Sequence, residues 1–174
     1  ADYKSLGQQY DVKILRDTWG VPHIFGKKDA DAAFGLAYAH AEDDMPTILD
    51  ALLAARGQIA TVQGKDGAPI DFVVNLLRVW DDINAKYETD LSPETRAICE
   101  AYANGLNYYA AMHPSEVSRK LLPFTGKDVV AGFVFKGPFF YGLDHQVQGL
   151  FGSERKHKVS EKNPATAAAQ FLHA

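Results

Sequence analysis

The chain has a single cysteine, Cys99, among 174 residues, so no disulfide can form within it and its redox compartment cannot be read from cysteine usage. Cys99 sits beside Ile98 in a helical pattern and reads as a packed thiol. No apolar run is long enough to span a bilayer; Val129 to Val134 is short and is broken by Gly132. Basic and acidic residues, 18 and 22, are dispersed for a net charge of −4, with no basic stripe for nucleic acid. The run Arg155-Lys156-His157-Lys158 reads as a solvated loop. There is no internal repeat, and no low-complexity tract beyond the alanines at 165–169.

Complete active-site signatures are absent too. The sequence holds no G-x-S-x-G elbow, no P-loop and no GxGxxG. Its six histidines, His23, His40, His113, His145, His157 and His173, lie far apart without metal-ligand spacing. Every serine (Ser5, Ser92, Ser115, Ser118, Ser153, Ser160) is internal. Glu42-Asp43-Asp44 clusters three carboxylates, but adjacent helical side chains diverge, so an ion-paired turn is expected there and not an acid/base pair.

What remains is a 47% hydrophobic chain, enough for one ordinary domain, read as a single helix-rich lobe over 1–174. Residues 11–26 read as two short strands turning at Trp19-Gly20, with Pro22 holding Val21 extended. Helices are predicted from an Asp29 N-cap through Ala33, Phe34, Ala37, Tyr38 and Ala41, and again from Met45 to Arg56 with Gly57 as C-cap. Gln58 to Gly67 reads as a loop or brief strand. Val73, Leu76, Leu77, Trp80 and Ile83 form one amphipathic stripe, read as core packing. Ser92-Pro93 opens a helix carrying Ile98, Tyr102, Leu106 and Tyr109, which Pro114 closes. Thr125 and Asp128 form a capping box for a helix through Val134, expected to stop or kink at Gly137-Pro138. The stretch 153–163 is polar, Asn163-Pro164 is expected to cap a short helix over 165–172, and 153–174 is expected to form a mobile tail near the processing site.

Four ordered segments are more specific than any of these elements. They are Arg16-Asp17-Thr18-Trp19-Gly20-Val21-Pro22-His23-Ile24; Gly35-Leu36-Ala37-Tyr38-Ala39-His40-Ala41-Glu42-Asp43; Arg56-Gly57; and Ala101-Tyr102-Ala103-Asn104-Gly105-Leu106-Asn107. Together they resemble the small (α) chain of the penicillin-acylase family of N-terminal-nucleophile hydrolases. The resemblance implies a mainly α chain with a short N-terminal strand pair. With its partner chain it would complete an αββα fold.

The resemblance further implies a two-chain amidohydrolase cut from one precursor, whose nucleophilic serine begins the larger β chain. A free α-amine titrates at roughly 7.7–8.0, so the nucleophile's own N-terminus can act as its base. An oxyanion hole of backbone N–H and an Asn side chain would stabilise the tetrahedral intermediate, again on the partner. No catalytic residue is expected in this chain, and alone it should be inactive.

Its contribution would be part of the acyl pocket, at the end of the last long helix, through Phe139, Phe140 and Tyr141. The alternative for these three is packing against the partner chain. No cofactor is expected; a structural calcium would fall to Asp144, where the local pattern does not match. Arg16 and Asp17 are expected to pair with partner-chain groups, His23 to donate from a buried ring, and Trp19 to anchor a core or interface. Candidate substrates are N-acyl-homoserine lactones, β-lactams and acylated cyclic peptides, with apolar walls favouring long acyl chains. The start at Ala1, without Met or an apolar leader, fits a mature periplasmic or secreted chain. The rival reading is a freestanding helical interaction module without chemistry.

Overall fold

Alternation along residues 12–26 places Val12, Ile14 and Ile24 on one side of an antiparallel hairpin, as expected. In the computed structural model, which describes residues 2–143, 145 and 149, strand β1 (Val12–Arg16) pairs with β2 (Pro22–Gly26) in the register Ile14↔Ile24 and Leu15↔His23. The expected 153–174 tail, the 165–172 helix and Asp144 lie outside the described residues.

The hairpin's apolar side lies on helix α1 (Asp29–Ala55) at Gly35, where an added Cβ would come within 2.5 Å of Val12 Cγ2. The N-cap of α1 is Lys28 and not Asp29; Asp31 does the capping, accepting the Lys28 amide at 3.0 Å while its other oxygen accepts the Asp11 amide. The two predicted helical runs form one element with a break at Asp44 (φ −158°, ψ 66°), just before Pro46. Asp44 caps the second half there, its Oδ1 accepting the Thr47 amide at 3.2 Å, with Pro46 in that half's first turn where no ladder donor is lost. At the far end Gly57 adopts φ +65°, the left-handed C-terminal conformation that glycine permits.

Residues 58–67, read as loop or strand, instead form a short helix α2 (Ala60–Gln63) and a 3-10 turn (Gly64–Asp66). Asp71 accepts the amides of Ile59 and Ala60, satisfying donors at the α2 start from a distant residue. The stripe from Val73 to Ile83 is split between α3 (Ala68–Leu76) and α4 (Val79–Asp90) by Arg78 at φ +53°. Val73 and Ile83 are buried, but Leu76 and Leu77 are exposed, so only part of that stripe is core. Periodicity cannot register a left-handed residue that rotates the second half of a stripe.

Ser92 caps α5 (Pro93–Met112) by accepting the Thr95 amide, as its Ser-Pro start predicts. The core is the contact of α1 with α5: Ala37, Ala41, Met45 and Leu52 against Ala103, Leu106, Tyr109 and Ala110, sealed by Val117 and Phe124. The small residues let the two backbones approach closely. Helix α6 (Gly126–Phe140) starts on the predicted capping box, Thr125 N–H donating to Asp128 Oδ2 at 2.8 Å. It does not stop at Gly137-Pro138 but continues to Phe140; within the last turn, proline removes only one ladder donor.

The chain divides at Gly137 into two units. Residues up to Lys136 carry the hairpin and core; the second unit begins with the last residues of α6 and a turn at Gly142 (φ +83°). No described helix is long and apolar enough to cross a membrane.

Candidate functional site

The hairpin turn is built by one carboxylate. Asp17 Oδ1 accepts the amides of Trp19 (2.8 Å) and Val21 (3.0 Å), and Oδ2 meets His23 Nε2 at 3.3 Å. The Asp17 amide donates to Val21 O and the Gly20 amide to Asp17 O, with Gly20 at φ +83°. Desolvation alone would raise the Asp17 pKa, but the hydrogen bonds from His23, Val21 and Trp19 hold it below the usual carboxylate range. Arg16 ties this turn to α1: Nη1 donates to Gly20 O and meets Asp43 Oδ1 at 2.8 Å, and Nη2 meets Glu42 Oε2 at 3.0 Å.

The first two sequence segments are therefore one network. Arg16 pairs with Glu42 and Asp43 of its own chain, where partner groups were expected, because the hairpin returns Arg16 to the end of the first half of α1. His23 is exposed and lies against Asp17; no buried ring exists there. The carboxylate cluster is an ion-paired turn, as read. Trp19 is 89% exposed, which excludes a core role within this chain.

The third and fourth segments meet at a second hub that sequence reasoning passed over. Arg56 Nε donates to Asp128 Oδ1 at 2.6 Å and Nη2 to Oδ2 at 2.9 Å, a two-pronged pair with Asp128 almost wholly buried. The same guanidinium donates to Leu121 O and Pro123 O and lies 5.6 Å from the Phe124 ring centroid. Buried Asn107 closes the other side, exchanging hydrogen bonds with Phe124 at 2.7 and 2.8 Å. Together these groups fix the 119–125 segment and the start of α6. Arg56-Gly57 marks a helix end in sequence; nothing local says that its partner lies 72 residues away.

Between α1, α5 and α6 runs an apolar groove of about 570 Å³, lined by Leu36, Ile48, Leu52, Ile98, Tyr102 and Phe133 among others. Cys99 also lines it, and burial pushes its thiol pKa up, keeping it in the protonated form. Of the predicted substrate contacts, Phe139 is half-buried, whereas Phe140 and Tyr141 are 87% and 93% exposed at the end of α6. Phe140 and Tyr141 thus present two aromatic rings to solvent.

Tyr109 offers a pH test of the core. Burial first, and the hydrogen bond it donates to Glu116 at 2.6 Å, push its pKa up to about 12. An unfolded tyrosine titrates near 10, so the folded state holds this proton more tightly. The stabilisation is complete below pH 10 and is lost as pH rises toward 12. Tyr109→Phe should therefore flatten part of the fall in thermal midpoint between about pH 10 and pH 12, read by circular dichroism.

Comparison with known proteins places these features. The family model described as penicillin amidase matches residues 11–148, from the hairpin through α6. Penicillin G acylase of Escherichia coli is 32% identical over 97 residues, 56% of this chain and 11% of that protein. The acyl-homoserine lactone acylase QuiP of Pseudomonas fluorescens is 31% identical over 106 residues, 61% of this chain and 13% of its own. The penicillin acylase 2 proenzyme of a Pseudomonas species is 30% identical over 105 residues, 60% of this chain and 13% of that protein. The chain thus matches only about a tenth of the length of these relatives. Among solved structures, a thermostable penicillin G acylase from Alcaligenes faecalis shares the fold, with a TM-score of 0.63 at 23% identity, covering 86% of this chain and 89% of that one.

Proposed function

Because this chain belongs to the penicillin amidase family, we propose that it is the small chain of a two-chain acylase hydrolysing the amide bond of N-acylated small molecules. The observation that carries this is the family match itself, which spans residues 11–148. The size relation supports two chains: the solved acylase chain is covered over 89% of its length, whereas the curated penicillin G acylase is covered over 11%. A relative named as a proenzyme fits a processed precursor.

On this reading the nucleophilic serine and oxyanion hole lie in the larger partner chain, and this chain shapes the site without reacting. Phe139, Phe140 and Tyr141 would face the acyl group, an aromatic wall suited to an apolar chain or ring. The substrates are N-acyl-homoserine lactones or β-lactams, with long acyl chains favoured by the apolar area of Phe139 and Phe140. A periplasmic or secreted location accompanies this assignment.

Mass spectrometry of the purified protein under native and denaturing conditions tests the assignment. A second, larger chain beginning with serine is the expected result; a lone folded 19.1 kDa monomer overturns it in favour of a helical interaction module. In a chromogenic amide assay across acyl lengths, Phe140→Ala and Tyr141→Ala should lower kcat/KM for the best acyl chain on the order of tenfold, and less for short ones. Equal loss at every length would remove both residues from the acyl wall.

A further inference from the structure

The hairpin spends unusual hydrogen-bonding capacity on holding an apolar side chain in water. Three contacts to Asp17 and one from Arg16 lock the turn, yet the residue it presents, Trp19, is 89% exposed. Val21 and, along the strands, Leu15 and Phe25 are exposed beside it, while the opposite face is covered by α1. A solvated Trp adds nothing to the stability of this chain, since its apolar area stays in water. Among the described residues the sheet has two strands, so each also keeps one unpaired edge. A large aromatic on a pre-set turn, with Val21 exposed beside it and Leu15 and Phe25 exposed along the strands, has the anatomy of a binding hot spot.

We propose that Trp19 is the anchor by which this chain docks on the remainder of the acylase polypeptide, seating in an apolar socket there, with Asp17 as the residue that positions it. The inference rests on the two-chain reading above. The occupant follows from length: about nine-tenths of each curated relative lies beyond the stretch this chain matches. On that reading the remaining polypeptide accompanies this chain in fixed proportion, and a turn rigid before contact loses little entropy on docking. Arg16 fastens the turn to α1 through surface ion pairs with Glu42 and Asp43.

The test uses the two-chain protein and measures the urea concentration at which its chains separate, by native mass spectrometry. Trp19→Ala and Asp17→Ala should each weaken association tenfold or more, on the order expected for a hot spot. Trp19→Phe should restore most of it, and Val62→Ser, at an equally apolar exposed site on α2, should leave it unchanged. Far-UV circular dichroism of each variant must match wild type, since Trp19 lies outside the core. A two-chain wild type indifferent to Trp19→Ala, or equally weakened by Val62→Ser, overturns the anchor alone. Trp19→Ala that splits a dimer of whole enzymes while the chains stay paired also overturns it, assigning the turn to a second copy. A wild type with no second chain overturns the two-chain reading first.

Discussion

Replacing Asp128 by alanine should destabilise the intact protein by about 3–5 kcal/mol, seen as a lower urea midpoint, because it strands a charge that the fold has already desolvated. The Asp128 side chain is 3% exposed and Arg56 17%, so the guanidinium cannot recover its lost partner from bulk water without moving. Two further losses add to this. Asp128 Oδ2 also accepts from the Thr125 amide and hydroxyl, so the α6 cap disappears with it. Arg56 would still reach Leu121 O and Pro123 O, but without a counter-ion between them. Asp128→Asn, which keeps the cap acceptor and loses the charge, should fall between wild type and alanine. Arg78→Ala is the control: its pair with Asp81 is exposed on both sides, so its urea midpoint should stay close to that of wild type. An Asp128→Ala variant unfolding at the wild-type midpoint would show that the hub holds nothing together.

Gly105→Val should be nearly as damaging, for a steric reason. A Cβ on Gly105 would press on the backbone carbonyl of Phe34 and lie 2.8 Å from Ala37 Cβ. Neither obstacle is the end of a flexible side chain, so relief requires α1 and α5 to move apart. That contact carries the main core, and overpacking of this kind costs about 1–3 kcal/mol or more. Gly105→Ala should show most of the effect, since the first carbon makes the clash. Gly132→Ala, on α6 with open space around its Cβ position, should be neutral or slightly stabilising through helix propensity. Thermal melting of the three variants ranks them, and equal midpoints for Gly105→Ala and Gly132→Ala would contradict the close approach.

Much of the fold was legible in local chemistry. The Ser92-Pro93 start of α5 and the Thr125–Asp128 box need only neighbouring side chains and their own backbone. The hairpin followed from alternation and Pro22. Misreadings arose where distant groups or backbone geometry decided. Asp71 supplies the amide acceptors that let residues 60–63 be helical, and Arg78 in the left-handed region cuts a continuous apolar stripe in two. Of the stop or kink expected at Gly137-Pro138, the stop does not occur, because a proline in the last turn removes only one ladder donor.

For the site, sequence by itself determined the family, through four segments whose order and spacing a generic helical domain has no reason to share. Only the tertiary structure decided what those segments do. Arg16, Asp17 and His23 look like catalytic residues by type, yet they close a turn and fasten it to α1, because the chain brings Glu42 and Asp43 to Arg16 from 26 and 27 positions away. Arg56 and Asp128 lie 72 residues apart and meet only because α1 and the start of α6 share a core. Charge pairing over such separations is set by packing, and packing has no local signature.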